Sequence, residues 1–204
     1  MQGWWPLQET TGASVSDESG FANNGTIVGM GSNPITAVGP NDWLQSSFDF
    51  DGTEKYVDLS ATVSLTGNAT YLFRTEYNDR ATAFQYNIIL GGSLSSDVGR
   101  IYINTTGTGS GGVLINAELL HRPITVNKIA GRFDVAEGFM NFACAVERAA
   151  LDSYTVLVDG VNESVVNQSG DNNFDFNYLA AAGTRRANIK LCDVSTFGRL
   201  LTTD

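Results

Sequence analysis

The sequence predicts an all-β fold: a two-sheet antiparallel sandwich of about a dozen short strands with little helix. Glycine is abundant, at 22 of 204 residues, and only 17% of residues are charged. Apolar and polar residues alternate with a period of two, and no stretch of ten or more residues has convincing helical periodicity. A dozen strands are too many for one open sheet, so two packed sheets are expected. Because no linker, charge block or repeat divides the chain, residues 1–204 are predicted to form one domain.

The opening stretch GWWPLQETTGASVSDESGFANNGTIVG, residues 3–29, predicts two strands joined by a long surface loop. Pro6 and several glycines would interrupt a helix here. We therefore expect a first strand that ends near Leu7 and a second strand around residues 26–28. Trp4 and Trp5 are predicted to fill the core of the sandwich.

The segment FDFDGTEKYVDL, residues 48–59, shows the clearest alternation in the first half. It places Phe48 and Phe50 on one face and Asp49 and Asp51 on the other, and Gly52 then turns the chain. Four later segments are predicted to be further strands: ATYLFRTEY, FQYNIIL, RIYIN and GVLINAEL.

The second half contains the strongest hairpin signal. Phe142, Cys144 and Val146 alternate with small residues, and Asp159-Gly160 separates two later strands. Asp-Gly at that position predicts a two-residue type I′ turn, because both central residues need a positive φ. The best helix candidate is the short segment AVERAALDSY, residues 145–154. One more strand closes the chain.

The net charge and the cysteine residues limit the partners and the chemistry that the protein can have. A net charge of −10 disfavours nucleic acid and anionic membrane surfaces as partners, and no run approaches 18 apolar residues. Cys144 and Cys192 lie in alternating apolar segments, which favours buried free thiols over a disulfide. The first residues lack a basic and an apolar region of a signal peptide, so we expect either an unexported gene product or a trimmed mature domain.

Four segments contain recognisable motifs in a fixed order. The first is a loop similar to D-x-S-G-x-x-N-x-G, and the others are an F-D-G hairpin, a Y-V-D-G hairpin and an R-x-L-T ending. The matching residues are Asp17, Ser19, Gly20, Asn23 or Asn24, Gly25, Phe50, Asp51, Gly52, Tyr56, Val57, Val158, Asp159, Gly160, Arg199, Leu201 and Thr202. In this order the segments resemble the laminin G-like jelly-roll domains of the concanavalin A-like lectin/glucanase superfamily. The resemblance implies a jelly-roll sandwich over the whole chain.

The sequence predicts no enzymatic activity. Glucan-cleaving members of the superfamily resemble one another in a strand motif E-x-D-x-x-E, whose two carboxylates perform retaining hydrolysis, and that spacing is missing here. His121 is the only histidine and, beside Pro123, is predicted to be a loop or edge residue. The segment GTGSGG lacks the lysine of a phosphate-binding loop and is typical of a hairpin turn.

Two kinds of binding site are implied by the resemblance. Related domains hold Ca²⁺ in loops at one rim, for which Asp17, Asp49, Asp51, Asp159 and Asp171 are the candidate ligands; the alternative for each is turn stabilisation. Sugar binding needs aromatic rings and amides on an exposed face. Tyr86, Tyr102 and Asn104 alternate with apolar positions and are the candidates, although ordinary half-exposed strand residues would show the same pattern.

Two functions follow from this interpretation. The first is a non-catalytic protein exposed on a bacteriophage virion, either a capsid decoration or a tail or fibre accessory. It would assemble as a homo-oligomer with other virion proteins and also bind glycans. The alternative is a carbohydrate-binding module or adhesin domain of a secreted bacterial protein. Met1 directly before the first strand and Asp204 just after the last are what a complete gene product would show, and a trimmed domain would show the same.

Overall fold

The computed structural model describes residues 1–31, 35–38, 46–78, 86–95, 100–108, 114–122, 128–134, 138–147, 151–163, 168–169 and 174–201. These residues form short strands, all of whose pairings are antiparallel, and they contain no helix. In chain order the strands are β1 Gly3–Trp5, β2 Ser14–Val15, β3 Gly25–Val28, β4 Ile35–Val38, β5 Ser46–Asp51, β6 Tyr56–Leu65, β7 Ala69–Tyr77, β8 Tyr86–Gly91, β9 Arg100–Thr108, β10 Leu114–Arg122, β11 Lys128–Asp134, β12 Met140–Glu147, β13 Leu151–Val158, β14 Val161–Asn162, β15 Gln168–Ser169, β16 Phe174–Leu179, β17 Ala181–Ala182, β18 Arg185–Arg186 and β19 Asn188–Phe197.

Two large sheets contain nearly all of these strands. Sheet A has the order β14-β13-β12-β7-β19-β5-β4, with β1 beside β19 and β15 beside β13. Sheet B has the order β11-β10-β9-β8-β16-β6-β3-β2, and β17 and β18 form a separate hairpin. The first strand pairs with the last, with Trp4 opposite Ser195.

The two sheets pack face to face through aromatic side chains. The Trp5 ring of sheet A meets Phe176 of sheet B edge-on, with 6.0 Å between ring centroids, and Tyr71 meets Phe174 at 5.8 Å. Trp5, Phe174 and Phe176 are fully buried. Burying such large apolar surfaces between two sheets is the main stabilising contribution to a β-sandwich. The predicted two-sheet antiparallel sandwich is confirmed.

Two sequence predictions about individual segments hold in the described residues. Phe48 and Phe50 are buried, and Asp49 and Asp51 on the same strand are not. Asp159 and Gly160 have φ values of 49° and 83° and connect Val158 to Val161, so the type I′ turn is confirmed.

Three local predictions need correction. The helix candidate at residues 145–154 is wrong, because residues 145–147 belong to β12 and residues 151–154 to β13; alternation of buried side chains overrides helix propensity there. The first strand ends at Trp5, two residues before Leu7. Only Trp5 fills the core, whereas Trp4 is half-buried and donates its indole N–H to Asp193 Oδ1 at 2.8 Å.

No helix that is long and apolar enough to cross a membrane occurs among the residues described.

Candidate functional site

The predicted sugar-binding residues lie on β8 and β9 of sheet B, but they do not form an open surface. Tyr102 does point away from Ile101 and Ile103, which belong to the main core. Its side chain is nevertheless only 1% exposed, so the prediction that its ring lines an exposed face is wrong. Asn104 is half-buried, and the Tyr86 side chain lies outside the described residues.

A hairpin formed by β17 and β18 covers Tyr102. Ala182 of this hairpin is fully buried and packs with Tyr102 and Ile88 in a small second core on the outer face of sheet B. The Gly183 N–H donates to the Ser93 carbonyl at 2.6 Å, which holds the hairpin tip on the end of β8. Gly91 permits the close approach, since a Cβ at that position would be 1.8 Å from the Ala181 carbonyl oxygen.

Two other tyrosines are half-exposed on this same outer face of sheet B. Tyr56 on β6 and Tyr178 on β16 are in edge-to-face contact, with 5.9 Å between their ring centroids. Asp58 lies directly opposite Tyr178 in the strand register. The alternation along β6 predicts that Tyr56 and Asp58 face outward, because Val57 and Leu59, which alternate with them, are buried.

The alternation of apolar and polar residues does not predict that Tyr178 faces outward, because β16 contains a bulge. Phe174 and Phe176 face the core, so a regular strand would turn Tyr178 inward as well. The register with β6 shifts between Phe176 and Tyr178, and the extra residue in a bulge moves later side chains to the opposite face. Leu179 is therefore buried instead, and Tyr178 joins Tyr56 outside.

Charged groups surround the two rings. The Arg186 guanidinium lies over the Tyr56 ring at 5.2 Å from its centroid, a favourable cation–π geometry. Arg186 Nη1 donates to the Gly183 and Arg185 carbonyls, both at 2.9 Å, which fixes the side chain in place. Burial, followed by the charges of Asp58 and Tyr56, raises the pKa of Tyr178, so its hydroxyl stays protonated at neutral pH. We call Tyr56, Asp58, Tyr178 and Arg186 the tyrosine patch.

The described candidate Ca²⁺ ligands lie in separate parts of the fold. Asp49 and Asp51 lie on β5 and Asp159 lies in the β13–β14 turn, with β19, β7 and β12 between them. At about 4.8 Å per strand spacing this separates the two groups by roughly 19 Å. Asp171 lies outside the described residues. Among the residues described, no three His, Cys, Asp or Glu side chains are grouped as a metal site requires.

Asp51 and Asp159 have turn-stabilising partners instead. Asp51 accepts hydrogen bonds from Thr53 and forms an ion pair with Lys55 at 2.9 Å. The hydrogen bond from the Thr53 hydroxyl is the main reason that the pKa of Asp51 falls to about 2. Asp159 Oδ1 accepts the main-chain N–H of Asn141 at 2.8 Å and its side-chain amide at 2.6 Å. These carboxylates do not fit a shared Ca²⁺ site.

Asp17 also acts within its own loop. Its carboxylate accepts main-chain N–H groups of Trp4, Ser19 and Asn23, each at 2.9 Å. Burial would raise the pKa of Asp17, but the hydrogen bonds outweigh it and the pKa is lowered. Turn stabilisation, the alternative interpretation of these aspartates, describes this residue.

The cysteines are not reactive groups. Cys144 and Cys192 are both free and buried, as predicted. Burial raises the pKa of the Cys192 thiol to about 12, so the nucleophilic thiolate is scarcely populated at neutral pH. His121 lies on β10, a strand inside sheet B, so the loop prediction for it is wrong.

No family model and no curated protein sequence matches this chain. Solved structures do match in fold. Domain 4 of AbnA, a GH43 extracellular arabinanase from Geobacillus stearothermophilus, in complex with arabinotriose, has a TM-score of 0.53 at 12% identity, covering 95% of this chain and 90% of that one. The binding domain of botulinum neurotoxin DC in complex with SialylT has a TM-score of 0.60 at 9% identity, covering 98% and 48%.

A third solved structure also matches in fold. A mutant of Trypanosoma rangeli sialidase displaying trans-sialidase activity has a TM-score of 0.58 at 10% identity, covering 98% of this chain and 31% of that one. The chain therefore spans about half the length of the toxin domain and about a third of the sialidase. At these identities the likeness shows the β-sandwich fold alone. These three matches lend no support to the laminin G or bacteriophage part of the resemblance.

Proposed function

We propose that this chain is a non-catalytic carbohydrate-binding domain and that the tyrosine patch is its sugar-binding surface. The observation that carries the proposal is the pair of half-exposed tyrosines, Tyr56 and Tyr178, flanked by Asp58 and Arg186. Tyrosine rings offer apolar surface with a polar tip, against which the C–H face of a sugar ring packs. The carboxylate of Asp58 and the guanidinium of Arg186 supply an acceptor and donors for its hydroxyl groups.

The fold comparisons support the same function class. The arabinanase domain was solved with arabinotriose and the toxin domain with SialylT. They share only the fold with this chain, so their ligands do not identify its sugar. They support the proposal because the same sandwich architecture carries a carbohydrate ligand in the arabinanase.

The non-catalytic part of the proposal rests on the carboxylates. Glycoside hydrolysis ordinarily uses two carboxylates on either side of the scissile bond. The tyrosine patch contributes Asp58 alone, whereas Asp51 and Asp159 are engaged in their own turns. The patch is therefore suited to holding a sugar and lacks the pair of groups that would cleave it.

The virion role, location at the virion surface and homo-oligomerisation stay predictions. The three structures named above do not address them. A secreted carbohydrate-binding module, the alternative drawn from the sequence, agrees better with the proposed function.

The test is a glycan array with the purified chain, in Ca²⁺ and in chelator, followed by calorimetric titration of the best oligosaccharide. We expect Tyr56→Ala and Tyr178→Ala each to weaken binding about tenfold, because each removes a stacking ring. Tyr178→Phe keeps the ring and should retain most of the affinity. Phe21→Ala removes an exposed aromatic side chain outside the patch and serves as the control.

Two outcomes would contradict the proposal. One is full affinity in the Tyr56→Ala, Tyr178→Ala double variant. The other is binding that disappears in chelator, because the tyrosine patch contains a single carboxylate and needs no metal ion.

A further inference from the structure

A groove lies on the outer face of sheet A, on the side of the sandwich opposite the tyrosine patch. Its floor is a row of apolar side chains in register across three strands: Leu72 on β7 is opposite Ala143 on β12, which is opposite Leu157 on β13. The groove has a volume of about 350 Å³, within the range of small-ligand sites. A neighbouring depression of about 150 Å³ shares these three floor residues and continues to Thr155 and Leu201.

Polar groups converge at one end of this groove. Arg74, Asn141 and Asp193 line it beside the apolar floor. The Nε atom of Arg74 is buried, and in the part of the chain that the structure describes it has no hydrogen-bond partner. A buried donor without an acceptor is unfavourable, so a ligand that supplies an acceptor at this point would recover that free energy.

The other two polar side chains are held in place from outside the groove. Asn141 donates its amide N–H to Asp159 Oδ1 at 2.6 Å, which leaves its carbonyl oxygen as an acceptor. Asp193 Oδ1 accepts the Trp4 indole N–H at 2.8 Å. Asp193 has a φ of 55° at the bulge of β19, a backbone conformation rare for residues other than glycine.

The charges select the ligand class. The groove is lined by one guanidinium, from Arg74, and one carboxylate, from Asp193, and a second carboxylate, from Asp159, binds the Asn141 side chain. An anionic ligand would meet both carboxylates, and a cationic ligand would meet the guanidinium at close range. Adjacent hydroxyl groups avoid both costs, because each hydroxyl donates one hydrogen bond and accepts two. The apolar floor then packs against a face of C–H groups.

From this geometry we propose that the groove is a second saccharide-binding site, which takes a neutral sugar ring and directs the next ring into the neighbouring depression. The site stands independently of the tyrosine patch, because the packed core of the sandwich separates the two surfaces. Each site is therefore testable in the absence of the other.

The test is a titration of the ¹⁵N-labelled chain with cellobiose, maltose and lactose, observed by amide chemical-shift changes. We expect at least one of these to shift the amides of Leu72, Ala143 and Leu157. D-glucuronate and D-glucosamine are the anionic and cationic probes and should bind more weakly than the neutral sugars. Tyr56→Ala should leave the groove shifts unchanged, so failure of the proposed function and failure of this site give different results.

Two variants change the groove by different means. Arg74→Met removes the guanidinium but keeps an unbranched apolar stem, and Ala143→Leu fills the floor. Each should weaken binding at the groove roughly tenfold. Lys190→Met is the matched control: it removes a cation of β19 that is paired with Glu76 at 2.9 Å and does not line the groove.

Three results would overturn the inference. The first is that no groove amide shifts with any of the neutral disaccharides. The second is that shifts persist unchanged in both Arg74→Met and Ala143→Leu. The third is that D-glucuronate or D-glucosamine binds the groove more tightly than the neutral sugars, which would refute the ligand class.

Discussion

Asp17 shows how one residue of the D-x-S-G-x-x-N-x-G segment organises the start of the chain. Its two carboxylate oxygens accept three main-chain N–H groups, from Trp4, Ser19 and Asn23. The Asn24 side chain in turn accepts the N–H of Asp17 at 2.9 Å. The segment therefore fastens β1 to the loop that follows it, which is the structural role that turn chemistry predicts for Asp and Asn.

Replacement of Asp17 tests this role through the pH dependence of stability. Its pKa is lower in the folded chain than the ordinary value of 3.8, so its stabilisation is present above that ordinary value. It is lost as the pH falls through the lower folded value. We expect Asp17→Asn to lower the free energy of unfolding by about 1–3 kcal/mol at pH 7, because the amide leaves one N–H donor without an acceptor.

Urea denaturation of the wild type and of Asp17→Asn at pH 7 and near pH 2 measures this difference. It should shrink at the lower pH, because protonation of the wild-type carboxylate advances as the pH falls below the ordinary value of 3.8 and removes its stabilisation. Asp175→Asn, on the exposed side of β16, is the control and should show little effect. An equal difference at both pH values would refute the role of the ionised carboxylate.

Among the elements, the hairpin of β17 and β18 has the largest influence on the candidate site. It buries Tyr102 beneath Ala182 and places Arg186 over Tyr56. Its contact with β8 depends on Gly91, where a Cβ would be 1.8 Å from the Ala181 carbonyl oxygen and 2.8 Å from Ala182 Cβ. The hairpin that Gly91 accommodates therefore both covers Tyr102 and positions the charge of Arg186 in the tyrosine patch.

Gly91→Ala should displace this hairpin. We expect a loss of about 1–3 kcal/mol in the free energy of unfolding, typical of overpacking, together with weaker sugar binding because Arg186 loses its position over Tyr56. Chemical denaturation and calorimetric titration measure the two effects. Gly198→Ala is the control, because its Cβ would meet only the flexible Gln2 side chain, at 3.2 Å. Unchanged sugar affinity in Gly91→Ala would separate the hairpin from the tyrosine patch.

The elements also show where sequence patterns succeed and where they fail. Alternation correctly places Phe48, Phe50 and Val57 in the core, and Asp-Gly gives the turn after Val158, because these features depend on neighbouring residues alone. The exposure of Tyr102 depends on a hairpin about 80 residues later in the chain, which no local pattern contains. The outward direction of Tyr178 depends on a bulge, which shifts the period of two without changing composition.

At the scale of the whole molecule, the sandwich presents two unlike surfaces on opposite sides. The tyrosine patch is a pair of half-exposed rings in edge-to-face contact, whereas the groove is a depression with an apolar floor and convergent polar groups. Both faces are rigidly based, because each lies on strands whose inner side chains are buried in one packed core. Together, the two proposed sites would make each chain bivalent.

Bivalency predicts a stoichiometry of two sugars per chain and crosslinking of a soluble polysaccharide by the monomer. We expect calorimetric titration with a neutral oligosaccharide to give two sites in the wild type, and in either Arg74→Met or Tyr178→Ala one unchanged site and one that binds roughly tenfold more weakly. The monomeric state is checked by sedimentation in the same buffer. Polysaccharide precipitation should require both sites, because a polymer bound on one face reaches another chain only through the opposite face. Precipitation that survives in both single-site variants, or one sugar per wild-type chain, would show that one surface alone binds the ligand.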